Sequence, residues 1–430
     1  MVSRPRGERL SAADASNVVM DARDQVNVFL MAGTLGVGGW VAEGGRLDLA
    51  ALRNEMDGRL RAWSPDLTRF SQRVRFAGRI PEWERCALDL TWHVRDVDPV
   101  DGLDGLAALC GTLMVTPLPV DRPLWELLIV PGASDAGPGV VLRVHHAVAD
   151  GVAGVRVVQR LFGDSDPEPA SSREAVRPSP KPRRRWRAWV TSVSRVTAVF
   201  RTTVPPTVLL GHIGPRRGVA FADVELASLS RSAKAAGATV NDALLAAVGL
   251  ATEAVLRADG QPVPAVLPAS VPVALPDRGT SGNAVGVMLV PLTTGEPDAG
   301  VRLARIADTT RAARSEARAQ GTYELTRTRW GARLFAWLAR RQRFIALFVT
   351  NVRGPDHRLS LAGAPLERAW PIAPIQGNVR LGVAAMSYAG RLAVAAHVDA
   401  DALHADKLGR ALGDALTRIA ATGPSRRTSG

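Results

Sequence analysis

The stretch 164–216 is the feature that most limits how this chain can fold. It opens in Pro, Ser and Arg, and Arg173 to Arg201 holds nine basic residues against one acidic residue, Glu174. A compact core cannot bury that charge, so the tract belongs at the surface and divides the chain. At 430 residues the chain is also too long for a single core. The expected organisation is an N-terminal domain over 1–163, a basic Pro/Arg/Trp-containing linker over 164–216, a C-terminal domain over 217–422 and a flexible tail over 423–430.

The tract also bears on partners. Net charge is +13, which allows an anionic partner. Lys181-Pro182-Arg183-Arg184-Arg185-Trp186-Arg187-Ala188-Trp189 leads into Val190, Val193, Val196, Val199 and Phe200. Arg195 and Arg201 break that apolar run, which therefore cannot supply the ~20 clean residues of a bilayer span. A basic, Trp-bearing segment can instead lie at an anionic membrane interface. A solvated interdomain linker with a helix packed on the body is the plainer and first reading, and the two are compatible. No nucleic-acid reader motif accompanies the charge, so nucleic acid is not expected as a partner. Cys86 and Cys110 stand far apart, which is neither a disulfide framework nor a zinc pattern. The N-terminus lacks the apolar core of a signal peptide. These points lead us to expect a cytoplasmic protein, with peripheral contact with an anionic membrane or lipid droplet through the tract as an open option.

Both halves mix strand and helix patterns without strict βαβ alternation. "VNVFLMAGTLGV" (26–37), "LWELLIV" (124–130) and "GVVLRV" (139–144) read as strands, the last two separated by a Gly/Pro/Asp loop. "LAALRNEMDGRL" (49–60) reads as a helix. After the tract, "GVAFADVEL", "AVLPASVPVAL", "VGVMLVPL", "FIALFVTNVRGP" and "VRLGVAAMSYAGRLAVAAHVD" carry strand patterns. Leu408, Leu412, Leu416 and Ile419 form the apolar stripe of a last helix. The predicted class is α+β, two domains packed across a shared cleft.

"RVHHAVADGV" (143–152) places two histidines where an apolar strand gives way to a helix. Side chains alternate faces along a strand, so His145 and His146 should point to opposite sides. Asp150 occupies an N-cap position, Gly151 lets the chain turn, and "GVAGVRVVQRLF" puts Val152, Val155, Val158 and Phe162 near one face before Gly163 stops the helix. Two adjacent ligands rarely reach one ion and no other His/Cys/Glu cluster supports them, so no metal is expected. A buried structural histidine with a capping aspartate is one reading. A general base is the other: a neutral imidazole on a cleft wall takes the proton of a hydroxyl or amine as it attacks a carbonyl carbon. Asp150 would then fix the loop through a buried ion pair with an arginine.

His-His-x-x-x-Asp-Gly resembles the signature of the CoA- and carrier-dependent acyltransferases, the superfamily of chloramphenicol acetyltransferase and peptide-synthetase condensation domains. "PLPVDRPLWELLIV" (117–130) looks like the Pro-Leu-Trp segment of the bacterial wax ester synthase/diacylglycerol acyltransferase family. "LSAADA", "GPRRGVAFADVELASL", "GATVNDALLAAV", "SGNAVGVMLVPL", "TNVRGPDHRLSLAGAPLE" and "SYAGRLAVAAHVD" resemble further family segments in the right order over nearly the whole chain.

The resemblance implies two chloramphenicol-acetyltransferase-like domains and an O-acyltransferase. Its substrates would be acyl-CoA and a lipid alcohol such as diacylglycerol or a long-chain alcohol. No cofactor is implied, since acyl-CoA is a co-substrate. His146 would be the catalytic histidine, with His145 and Asp150 in the catalytic motif. Pro123, Leu124, Trp125, Asn241, Asp242, Asn283 and Asn351 would lie around the substrate tunnel. Each also has a plain reading: Trp125 as core, Asn241 and Asp242 as a helix cap and its first-turn carboxylate, and Asn351 as the end of a strand. No G-x-S-x-G elbow offers a nucleophile, so direct transfer is expected. The chain departs from the family at Ala274, Pro276, Gly382 and Ala384, and at Asn27, where a His is common. These departures keep open a tailoring enzyme that acylates a specialised metabolite. A non-catalytic lipid-binding relative is the third reading, and the intact motif argues against it.

Overall fold

The computed structural model describes residues 8–21, 25–62, 67–76, 81–149, 151–163, 203–274, 285–317 and 337–422. Asp150, Asn283, the Arg183–Trp189 cluster and the tail over 423–430 lie outside the described residues.

The N-terminal half runs β1 (Glu8–Arg9), α1 (Ala12–Met20), β2 (Val28–Leu35), α2 (Leu49–Ala62), β3 (Gln72–Arg75), β4 (Glu82–Arg85), α3 (Leu90–His93), β5 (Val94–Asp96), α4 (Gly102–Leu113), β6 (Trp125–Ser134), β7 (Gly137–His145) and α5 (Gly151–Phe162). The C-terminal half continues with β8 (Arg217–Glu225), α6 (Leu226–Ala235), α7 (Val240–Ala258), β9 (Val266–Ala274), β10 (Val285–Thr293), α8 (Ala299–Ala317), β11 (Leu347–Arg353), β12 (Ser360–Leu361), β13 (Ala364–Ile372), β14 (Leu381–Tyr388), β15 (Arg391–Asp399) and α9 (Ala405–Ala420). Two six-stranded sheets carry the fold, in the orders β12-β13-β2-β7-β6-β5 and β10-β9-β11-β14-β15-β8. The class is α+β, as the sequence predicts.

β2, β6 and β7 read as near-continuous apolar runs because both faces of their sheet are covered. Trp125, Leu127, Leu142 and Val144 pack with Leu52 and Met56 of α2 and Leu161 and Phe162 of α5. Val28, Leu30, Leu128 and Val141 pack on the other face with Leu106 and Cys110 of α4. That second cluster also takes in Val219 of β8 and Ala393 and Ala395 of β15, so α4 sits between the two sheets. A Cβ at Gly111 would come within 2.6 Å of the Arg217 carbonyl, and only glycine allows this approach of α4 to β8. In the second sheet α7 and α9 cover the far face, burying Leu408, Leu412, Leu416 and Ile419 as their spacing predicts.

The structure amends the expected organisation in three places. β12 and β13 come from the C-terminal half but join the N-terminal sheet, with Trp370 opposite Ala32 and Ile372 opposite Leu30. They cover the edge of β2, which would otherwise offer unpaired backbone groups. The pairing of Trp370 with the Phe221 ring at 4.6 Å holds β13 against β8. Second, residues 203–216 are not free linker, because Val204, Leu209 and Ile213 are buried. Third, the loop between β6 and β7 is shorter than its Gly/Pro content indicates. The ladder resumes at Ser134↔Gly137 after an irregularity beyond Val130, with Gly132 at φ +79°. The β14–β15 connection is a two-residue turn at Ala389 (φ +45°) and Gly390 (φ +81°), the double positive-φ geometry that matches strand twist.

Among the described residues no single helix is long and apolar enough to cross a membrane. α6 and α7 meet that test only as a pair bent by 96°, and α7 is buried from Asp242 through Glu253.

Candidate active site

β7 delivers the histidine pair to one end of the N-terminal sheet. The strand ends at His145, which lies opposite Val28 of β2. His146 begins the turn that leads to α5. The two side chains diverge as alternation requires. The His145 ring lies on the Val28 side, and the His146 ring packs edge-on against Phe29, centroids 5.4 Å apart. His145 is buried and His146 half-buried.

Both nitrogens of His145 are engaged. Nδ1 accepts the Ala147 N–H at 3.0 Å, which leaves Nε2–H to donate to Asp21 Oδ2 at 3.1 Å. That fixes its tautomer and folds the turn. His146 is held by its backbone instead. Its N–H donates to the Asn27 carbonyl at 2.9 Å, and its C=O accepts from Asn17 Nδ2 at 3.2 Å. No hydrogen bond from the described residues reaches the His146 ring nitrogens. Desolvation by the surrounding protein, helped by His145 beside it and opposed by Asp21, lowers its pKa to about 4. The imidazole is therefore neutral at pH 7, the form that can accept a proton.

Leu124 and Trp125 support this end of the sheet. The Leu124 carbonyl accepts the His145 N–H at 3.0 Å. Trp125 is fully buried, donates Nε1–H to the Phe70 carbonyl at 2.9 Å and stacks on His93 at 4.6 Å, so it is core. Pro123 borders a cavity of about 900 Å³ shared with Arg73, Trp83, Cys86, His93 and Arg122. Neither His146 nor any residue of the C-terminal half lines that cavity.

The C-terminal candidates are placed elsewhere. Asn241 is not the N-cap of α7: that position is Thr239, whose side chain accepts the Asp242 N–H while Asp242 returns to the Thr239 N–H at 2.8 Å. Asp242 also takes the Thr310 hydroxyl of α8 at 2.6 Å and is spent inside its own half. Asn351 lies on β11 opposite Ala385, two residues before the strand ends. Gly151 is the first residue of α5. That helix buries Val157, Val158, Leu161 and Phe162, a face shifted from the predicted one, with Val155 only partly covered.

Sequence reasoning missed Asn17, Asp21, Gln25 and Gln376, and noted Asn27 only as a departure. All five are polar residues that grip the His145–His146 turn or its neighbours. The signal for the first three and for Asn27 is a cluster of amides and a carboxylate just before the apolar run of β2, whereas Gln376 lies between β13 and β14 and carries no such signal. Also missed was the pair Glu126 and Arg143, lone charges in otherwise apolar strands that the register places opposite each other. Among the described residues no group of three or more His, Cys, Asp or Glu side chains is placed to hold a metal ion.

His397 of β15 is, like His93, another histidine whose burial keeps it neutral. Nδ1 donates to the Ala373 carbonyl at 2.8 Å, and Nε2 is buried without a hydrogen bond among the described residues. Burial lowers its pKa from 6.5 to about 4. The unfolded chain thus takes up a proton below pH 6.5 that the folded one refuses until about 4. Stability from this group is complete above pH 6.5 and falls as pH drops toward 4, by up to about 3 kcal/mol. Melting temperature should therefore decline over that window, and less steeply in His397→Gln. Parallel curves for the two proteins would show that His397 does not set the acid response.

Residues 10–202 match the family model "Wax ester synthase/diacylglycerol acyltransferase catalytic domain". Residues 281–420 match "WS/DGAT C-terminal domain". A Mycobacterium tuberculosis protein named "Probable diacyglycerol O-acyltransferase tgs1" is 28% identical over 437 residues, 90% of this chain and 92% of its own. The solved wax ester synthase/diacylglycerol acyltransferase of Marinobacter aquaeolei VT8 superposes with a TM-score of 0.72 at 21% identity, covering 96% of this chain and 98% of that one. The starter condensation domain of rhizomide synthetase superposes at 0.57 and 13% identity, covering 96% and 94%.

Proposed function

Because this chain belongs to the wax ester synthase/diacylglycerol acyltransferase family and is an acyltransferase, we propose that it moves a fatty acyl group from acyl-CoA to the hydroxyl of a lipid alcohol, diacylglycerol or a long-chain alcohol. His146 takes the proton from the acceptor O–H. The oxygen attacks the thioester carbonyl, a tetrahedral oxyanion forms, and its collapse breaks the C–S bond. The imidazolium returns its proton to the leaving sulfur, so CoA departs as a thiol and the base is restored. No acyl-enzyme and no cofactor enter this scheme.

The observation that carries the reading is the state of His146: a neutral imidazole, gripped by its backbone, with neither ring nitrogen bonded by a described residue. Its neighbour His145, by contrast, spends both ring nitrogens in hydrogen bonds. A lipid acceptor sits in a membrane, so the proposal includes peripheral contact with an anionic surface through the basic tract.

The test is an acceptor panel. Purified protein is incubated with radiolabelled palmitoyl-CoA and diacylglycerols, long-chain alcohols or polar hydroxylated metabolites, and products are resolved by thin-layer chromatography. Labelled triacylglycerol or wax ester is expected. Label confined to a polar acceptor would make the chain a tailoring acyltransferase instead, and no acceptor-dependent thiol release with any of them would leave only lipid binding.

A further inference from the structure

Three side-chain amides stand head to tail between the second half of the molecule and His146. Gln376, in the segment joining β13 to β14, donates Nε2–H to Asn27 Oδ1 at 2.9 Å. Asn27 donates Nδ2–H to Asn17 Oδ1 at 3.2 Å. Asn17 donates Nδ2–H to the His146 carbonyl at 3.2 Å. Gln376 begins the chain as a donor, and Asn27 and Asn17 each accept from one neighbour and donate to the next, so the chain has one direction and its bonds polarise one another. Asn27 has two further links. Its carbonyl accepts the His146 N–H, and its N–H donates to Asp21 Oδ1 at 2.5 Å. Asp21 is the same carboxylate that holds His145. Gln25 secures the far end, exchanging two 2.9 Å hydrogen bonds with the backbone of Gly377.

We infer that Asn27 is a positioning residue for the reaction: through the amide relay Gln376–Asn27–Asn17 it sets the His146 turn in register with the second half of the molecule. The relay ends on the peptide group that follows His146, and the Asn27 main-chain carbonyl holds the one that precedes it, so a change in the relay moves the base. Asn27 touches no reacting atom and acts through the His146 backbone. The inference rests on His146 being the base proposed above.

Asn27→Asp is the discriminating variant. It keeps the shape and still accepts from Gln376, but cannot donate to Asn17. A misplacement of about 1 Å at a reacting group can cost on the order of 100-fold. We expect Asn27→Asp and Asn27→Ala to lower kcat by tenfold or more, with KM for palmitoyl-CoA within twofold of wild type and a melting temperature that keeps the protein folded at the assay temperature. Gln376→Ala should lower kcat in the same sense, and Asn27→Ala/Gln376→Ala should lose no more than Asn27→Ala alone, because one chain is cut once. Wild-type kcat in Asn27→Asp, losses that appear in KM, or losses that multiply in the double variant would each overturn the relay. His146→Ala in the same assay separates the two readings. An inactive His146→Ala beside a fully active Asn27→Asp removes the relay alone, whereas an active His146→Ala removes the base on which it rests.

Discussion

His146→Ala is expected to lower kcat/KM by about 10²–10⁴-fold, the usual contribution of a positioned general base. The hydroxyl of an alcohol is a poor nucleophile at neutral pH, and the site offers a neutral imidazole in its place to receive the proton. The fold should tolerate the loss. His146 is half-buried, its ring makes one edge contact with Phe29, and its main-chain bonds to Asn27 and Asn17 survive the substitution. His145→Ala should behave in the opposite way. That side chain is buried, and its removal leaves the Ala147 N–H and the Asp21 carboxylate without their partner, so melting temperature should fall. Measuring kcat/KM with palmitoyl-CoA and melting temperature on both variants separates the roles. A folded His146→Ala protein with turnover within tenfold of wild type would remove the histidine from the chemistry.

The sequence carries much of this arrangement because its strongest patterns are local. The apolar runs of β2, β6 and β7, the stripe of α9 and the turn into α5 follow from neighbouring residues and came out where period and punctuation put them. Pairing between distant segments did not. Nothing in "LSLAGAPLERAWPI" says that β13 leaves its own half to cover β2, because the choice of edge depends on which neighbour has a face left to bury. The same limit explains the site. His146 was legible as a motif, but the Gln376 that steadies it lies 349 residues from Asn27. Asn241 looked like a cap because it opens an apolar run, yet Thr239 with Asp242 three positions later gives the reciprocal pair of bonds.

Glu126→Ala is expected to lower the unfolding free energy by about 3–5 kcal/mol, the cost of stranding a buried charge. Glu126 and Arg143 are both buried, face each other across β6 and β7, and meet at 2.6 Å. Arg95 supports the second carboxylate oxygen at 2.8 Å from a position one-third exposed. Burial draws the Arg143 pKa down, and Glu126 above all, with Asp21, pushes it back. Nε and Nη2 of Arg143 are already buried without a hydrogen bond among the described residues, so without Glu126 the guanidinium loses its one carboxylate contact and keeps only the more remote Asp21 charge against its lost hydration. The pair sits two residues ahead of His145, which makes it hard to tell a damaged fold from a damaged site in the single variant. Replacing both partners resolves this. Glu126→Leu/Arg143→Met removes the charges together, and apolar side chains of similar volume are often neutral or stabilising in place of a buried pair. Denaturant unfolding should show most of the stability restored in the double variant, and kcat/KM should return to within a few-fold of wild type, because neither charge touches the reacting groups. A double variant as unstable as Glu126→Ala would mean that the two charges are not coupled in the way their contact implies. One that is stable but inactive would move Arg143 from the scaffold into the site.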